Sequence, residues 1–290
     1  MAYGGTRINP KRFHRSQLKF YAVLLPMAAF MAMPILFIVN QALKPVGELF
    51  AFPPRFFVMN PTLDNFTALG RVTRGSGIPL SRYLFNSLTV TAVSVVLAIL
   101  ISVCAGYVMS KKATPLVRRM FAINQAALMF VPIAATIPRY ILIVRTGLYD
   151  TFWAHILPML AMPVGLFLIK QFIDQIPDAL IDSARIDGAS EYRIVRSLVV
   201  PMVMPAIATV GILTFQAVWN STEASGYYME NEALRTATYY LSNLTAATGN
   251  TVAGTGIAAA ASLLLFLPNL AIFIVLQAKV MSTMAHSGIK

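Results

Sequence analysis

Few side chains in this sequence are equipped for chemistry. Among its 290 residues there are 11 Asp and Glu, three His and one Cys. No GxxxxGK[ST] loop is present to cradle phosphates, no Cys/His cluster has metal-ligand spacing, and no Ser, His and Asp are placed by a nucleophile motif. His155 is the one candidate for proton coupling inside an apolar run, near the outer end of the fourth. A lone histidine there reads as an interfacial residue, with a proton relay as the alternative. No Asp, Glu or Lys lies within any apolar run, although proton-coupled transporters usually need an intramembrane carboxylate or histidine. The chain is therefore expected to have no catalytic residue, no metal ligand and no cofactor of its own. Any active work must draw its energy from a partner.

Charge gathers instead in one loop, residues 176–205, which reads IPDALIDSARIDGASEYRIVRSLVVPMVMP. Pro177 suits the first turn of a helix, and the charge of Asp178 favours that end. Leu180, Ile181 and Ala184 form a narrow apolar stripe beside Asp178, Asp182 and Arg185. Gly188 fits the left-handed residue that closes a helix. Ser190 can cap the next helix, with Glu191 in its first turn. An ordinary surface loop is one reading. A loop this helical, with an apolar stripe and mixed charge, suits docking in a protein groove better. A helix lying on a membrane would be strongly basic.

The elements that must hold this loop are apolar. Of all residues 57% are hydrophobic and only 12% charged, with a mean hydropathy of +0.68; a soluble domain carries about 25% charged residues. That excludes a disordered chain, a disulfide scaffold and almost any soluble enzyme. Six charge-free runs, 20–43, 83–110, 120–138, 152–169, 197–222 and 251–278, are each long enough to cross ~30 Å of hydrocarbon as a helix. They lack the alternation of barrel strands. The expected architecture is an all-α integral membrane protein with six transmembrane helices over 20–282, a basic cytoplasmic tail at 1–19 and a short cytoplasmic tail at 283–290. The net charge of +12 then needs no nucleic acid, because cytoplasmic loops of membrane proteins are rich in Lys and Arg. With both termini inside, 15 Lys and Arg lie on the inner side and 8 on the outer. Pro132 and Pro138 would break or kink the third run, so 139–151 is placed at the outer surface, with Arg139 in an aqueous cavity as the alternative. The outer loop 44–82 reads as turn-rich. The acidic, tyrosine-rich outer loop 223–250 suits a partner protein, a sugar or an interfacial aromatic belt. Cys104, inside an apolar run, reads as a small core residue.

Polar residues do recur on some helix faces. Thr209, Gln216 and Asn220 fall at i, i+7 and i+11 of the fifth run, with Trp219 beside them. Ser87, Thr91 and Ser94 fall at i, i+4 and i+7 of the second, and Ser262 and Asn269 are seven apart in the sixth. A polar solute path and helix–helix packing both account for such stripes. For Gln216 and Asn220 the path is the better reading.

The 176–205 loop closely resembles the EAA loop of binding-protein-dependent ABC importer permeases, whose core reads roughly EAAxxDGAS with a downstream LP or VP. The matching residues are Asp182, Ser183, Ala184, Asp187, Gly188, Ala189, Ser190 and Pro201. Asp182 stands where the family has Glu, and Ser183 where it has the first Ala. NPTLDNFTAL at 60–69, FNSLTVT at 85–91, GLYDT at 147–151, and Phe215 with Trp219 and Asn220 fit the carbohydrate (MalG-like) subgroup. Residues 223–250 depart from its pattern. The resemblance implies a type I, MetI-like permease of the bacterial inner membrane, multi-pass with both termini inside. Its coupling helix would include Leu180, Ile181 and the matched residues at 182–190. It implies as partners a second homologous permease, two ATP-binding subunits that hold ATP and Mg, an extracytoplasmic solute-binding protein and the lipid bilayer. The cargo it implies is a carbohydrate, notably an oligosaccharide; a polyol, uronate oligomer or glycerol phosphate is the alternative, and a stand-alone secondary transporter a more distant one.

Overall fold

A computed structural model describes residues 17–75, 77–112 and 114–287. Most of the basic tail at 1–19 and the last three residues of the tail at 283–290 lie outside the described residues. Among the described residues there are helices and no strands. Three helices are single apolar rods long enough to cross a bilayer: Leu18–Leu43, Leu80–Lys111 and Val252–Gln277. The last continues as helix to Ser287, past the boundary at 278 expected from the charge-free run.

The other three runs are not straight spans. They are bent pairs: Pro115–Ala127 with Pro132–Arg145 (110°), Trp153–Leu160 with Pro163–Asp174 (43°), and Glu191–Met202 with Met204–Tyr227 (81°). At or next to each break a proline opens the following segment: Pro132, Pro163 and Pro205. Proline has no N–H to give the preceding turn and is well placed in a helix's first turn, so a new helix starts where the old one fails.

The chain divides into two units. One takes in the chain up to Arg71 and returns at Leu244–Leu263; the other holds Val72–Asn243 and the chain from Leu264. In the first, the end of Leu18–Leu43 is tied by the buried Asn65, whose Nδ2 donates to the carbonyls of Ala42 (2.9 Å) and Lys44 (2.8 Å). Those carbonyls are among the groups a helix end leaves unpaired. Gly256 packs so closely on Asn65 that a Cβ there would sit 2.5 Å from its Oδ1. The segment expected as a turn-rich loop at 44–82 in fact holds the helix Asp64–Gly75. Ahead of it, Glu48 accepts the N–H groups of Met59 (3.0 Å) and Asn60 (2.8 Å). These bonds hold the Glu48 carboxyl below its usual range, the Met59 amide most of all.

The second unit is built on the 32-residue helix Leu80–Lys111, about 48 Å long at 1.5 Å per residue. Small residues let its neighbours close on it. A Cβ on Gly106 would stand 3.1 Å from Ile169 Cγ2, and one on Gly165 would stand 3.0 Å from Val210 Cγ1. The resulting core joins Val103 and Tyr107 to Ile169, Ile173, Ile181, Ile194 and Val210. Cys104, expected in a core, is exposed instead. It lines an apolar groove of about 450 Å³ with Leu100, Val108, Val195 and Ile207. An apolar run marks residues that avoid water, and a lipid-facing side satisfies that as well as a core does.

Candidate functional site

The 176–205 loop folds as two helices joined at a glycine. The first is Asp178–Ile186, with Pro177 at its cap rather than in its first turn. Gly188 has φ +80°. Its N–H donates to Arg185 O and the Ala189 N–H reaches back to Ala184 O, both at 3.0 Å. The second bond spans six residues, as in a Schellman closure, and needs the left-handed residue at Gly188. Ser190 Oγ then accepts the N–H of Arg193 at 3.3 Å and starts the next helix, with Glu191 in its first turn.

The apolar stripe splits. Ile181 is 1% exposed and packs with Ile173, Ile176 and Ile194, and Ala184 lies against the same cluster. Leu180 turns outward, as do Ile186 at 86% and Tyr192 at 71% exposure. Residue type does not separate these faces in the sequence, because Leu180 and Ile181 are apolar neighbours about 100° apart on the helix. Asp182, Ser183 and Asp187 are exposed. Asp182 Oδ1 accepts from Arg185 Nη1 at 3.1 Å, and Ser183 Oγ donates to Ala179 O at 2.8 Å.

This loop is fastened to the end of Leu80–Lys111 by residues the sequence reading did not single out. Tyr107 Oη donates to Glu191 Oε2 at 2.6 Å, and Arg185 Nη2 donates to Glu191 Oε1 at 3.1 Å. Lys111 Nζ donates to Asp178 Oδ1 and to Ile176 O, both at 2.7 Å. The partners are far apart in sequence, so no local signal reveals them.

Gln216 and Asn220 are exposed, and Asn220 Oδ1 accepts from Asn269 Nδ2 at 3.1 Å. Trp219 is buried, donates from Nε1 to Leu265 O at 3.0 Å, and stacks on Phe215 at 5.8 Å. Thr209 donates to the carbonyl of Pro205 in its own helix. Ser87, Thr91 and Ser94 are buried within the chain, and Ser87 accepts the N–H of Ala237 at 2.8 Å. His155 is buried too, with Nε2 3.0 Å from Leu234 O.

Arg139, expected on an outer surface segment, is half-buried on the helix Thr136–Arg145. Its Nη1 meets Glu223 Oε1 at 2.8 Å and Oε2 at 3.0 Å, and Tyr228 Oη donates to Oε1 of the same carboxylate at 2.8 Å. The 223–250 region is largely ordered as helix, at Glu223–Tyr227 and Ala237–Thr248. Its tyrosines reach back: Tyr240 stacks on Tyr83 at 4.3 Å. Glu230 accepts from Tyr149 Oη at 3.0 Å, which raises the Tyr149 pKa above its usual value.

The family described as "Binding-protein-dependent transport system inner membrane component" matches residues 22–280. The sulfoquinovosyl glycerol transport system permease protein of Agrobacterium fabrum is 32% identical over 228 residues, 77% of each chain. The melibiose/raffinose/stachyose import permease protein of Bacillus subtilis is 27% identical over 214 residues, 73% of this chain and 76% of that protein. Among solved structures, a chain of a bacterial ABC transporter involved in the import of the acidic polysaccharide alginate has a TM-score of 0.77 and 19% identity. The match covers 93% of this chain and 99% of that one. The fold is the same.

Proposed function

The chain belongs to the family of inner-membrane components of binding-protein-dependent transport systems, and from that membership we propose that it is the permease subunit of an ATP-driven importer of carbohydrate. The observation that carries the substrate class is the pair of relatives named for sulfoquinovosyl glycerol and for melibiose, raffinose and stachyose, each covering about three quarters of the chain. A solute-binding protein delivers the cargo, a second permease completes the passage, and two ATP-binding subunits hold ATP and Mg. The absence of any carboxylate inside an apolar run favours an energy supply from partner subunits over proton coupling.

The loop at 176–205 is the element that meets the ATPase. Leu180, Ile186 and Tyr192 offer it exposed apolar surface, and Asp182, Ser183, Asp187 and Ser190 the polar rim. Ile181, Ala184, Gly188 and Ala189 hold the shape. The 15 to 8 distribution of Lys and Arg favours this loop and both termini on the cytoplasmic side. The solute path rests on Gln216, Asn220 and Asn269, whose amides can exchange hydrogen bonds with sugar hydroxyls. Ser87, Thr91, Thr209 and Trp219 support that face from within the fold.

The test is purification of the chain from its native membrane. An ATPase and a sister permease should accompany it, and a panel of oligosaccharides with the cognate binding protein should raise ATP hydrolysis. Isolation as a lone chain that still transports would end the importer reading.

A further inference from the structure

The 178–186 helix is gripped at both ends by a single turn of the Leu80–Lys111 helix. Tyr107 and Lys111 are four residues apart and so share one face. Lys111, its side chain only 8% exposed, holds the helix start through Asp178 Oδ1 and the Ile176 carbonyl. Tyr107, 3% exposed, holds the helix end through Glu191, which in turn grips Arg185 in the last turn. Arg185 closes the chain on Asp182. Between the two grips Ile181 is pinned in the same core as Tyr107. A helix held at start, middle and end cannot roll or slide on its support. It moves with that support or breaks these contacts.

We propose that Tyr107 and Lys111 are positioning residues that carry motion of the 178–186 helix directly into the Leu80–Lys111 span, with Glu191 as the shared joint. The inference rests on the reading of 176–205 as the ATPase-facing loop. It adds a non-covalent route out of that loop to the two covalent ones, back through Ile176 into Pro163–Asp174 and on through Pro201 into the fifth span. Tyr107 and Glu191 are joined by a charge-assisted bond at 2.6 Å, the stronger kind of hydrogen bond. The hydroxyl therefore does more than fill space: phenylalanine would fill the same core yet leave the joint open.

Cys104 supplies the readout. It is the single cysteine of the chain, is exposed, and sits on the same span one turn before Tyr107. The intact transporter, with its ATPase and sister permease, is reconstituted in nanodiscs and treated with N-ethylmaleimide, and modification of this chain is followed by mass. In the native complex the Cys104 rate should differ between nucleotide-free and MgATP–vanadate-trapped states. In Tyr107→Phe that difference should shrink, by roughly 2- to 30-fold in the underlying coupling, the range found for single residues along coupled networks. Complex yield and ATP hydrolysis should persist, which a purely structural role for the hydroxyl would not predict. Glu191→Gln combined with Tyr107→Phe should lose less than the sum of the two single changes, because both weaken the one Tyr107–Glu191 bond; fully additive losses would count against a shared joint. Lys111→Met tests the other grip by the same rate. A native-sized response in Tyr107→Phe, with the ATPase bound, overturns the proposal and leaves the loop's role intact. A native complex whose Cys104 ignores nucleotide overturns it as well. Loss of the ATPase from every preparation, native included, would instead count against the loop reading itself.

Discussion

Gly188 is the position where a single side chain should separate folding from coupling. Its φ is +80°, and an added Cβ would find nothing within 4 Å. The cost of substitution is thus conformational, not steric. Holding a residue with a Cβ in this region costs about 1–2 kcal/mol, and valine, stiff at χ1, lies at the upper end. The chain can escape by leaving the left-handed region. It then gives up the 3.0 Å bonds from Gly188 N–H to Arg185 O and from Ala189 N–H to Ala184 O, each contributing roughly 0.5–1.5 kcal/mol. Either way the penalty is about 1–3 kcal/mol, below the ~5–15 kcal/mol that holds a domain together. A shift of 1–3 kcal/mol changes a two-state ratio by about 5- to 160-fold. Gly188→Val should therefore insert and assemble normally, yet lose uptake by about that factor. Gly188→Asn should lose much less, since asparagine tolerates positive φ. Both variants are reconstituted with the ATPase, sister permease and binding protein, and complex yield, ATP hydrolysis and uptake are measured on the same preparations. Full binding-protein-stimulated uptake by the valine variant would refute the reasoning, as would equal damage from valine and asparagine.

Three further outcomes are expected. Gln216→Leu and Asn220→Leu should each impair uptake while leaving the complex assembled; normal transport by both assigns that exposed face to packing. In a Cys104-free background, a cysteine at 185 should react with an impermeant maleimide only after cells are opened, and labelling from outside intact cells would invert the proposed topology. Glu48 contributes through a depressed pKa, so its contribution is complete above the ordinary glutamate range and is lost as pH falls through its lower folded value. Proteolysis of the 51–60 segment should accordingly rise on acidification from pH 6 toward pH 3, and the rise should flatten in Glu48→Gln; an unchanged profile in that variant would show that the carboxylate does not clamp the segment.

What could be read from the sequence was local. The cap at Ser190, the reversal at Gly188 and the acidic start at Asp178 are all decided within a few residues, and the structure places each of them in its expected role. The apolar runs were legible as membrane material, but three of the six conceal sharp bends. Hydropathy integrates over a window and is indifferent to direction, whereas Pro132, Pro163 and Pro205 act on one hydrogen-bonded turn. The face of a buried helix was the least legible feature. Leu180 and Ile181 are chemically alike, yet one is exposed and the other sealed, and Cys104 looks outward from a run that suggested a core. Contacts that join distant segments, such as Tyr107 with Glu191 and Arg139 with Glu223, have no sequence signature at all.

The bends and the distant contacts belong together. The sharpest breaks, 110° and 81°, set Pro132–Arg145, which carries Arg139, and Met204–Tyr227, which ends in Glu223–Tyr227, off from the segments before them. In a straight third span Arg139 would stand just past the charge-free run 120–138, with no carboxylate in its own span to pair with. Bending turns that helix aside, and the guanidinium meets a carboxylate with both oxygens within 3.0 Å. Such a pair adds little net stability, because desolvation offsets most of the attraction, but losing one partner strands a charge and costs about 3–5 kcal/mol when fully buried. At half burial the penalty is smaller and has the same sign. The pair is thus better understood as fixing where two broken spans end than as holding the fold together. Tyr228, donating to the same carboxylate, adds a third element to that junction. The end of the Leu80–Lys111 helix repeats the arrangement: Lys111 with Asp178, and Tyr107 with Glu191 and Arg185, likewise settle where helices stop and turn. Apolar packing, which is nondirectional, makes the spans; the sparse charges, placed at breaks and ends, determine how those spans are aimed.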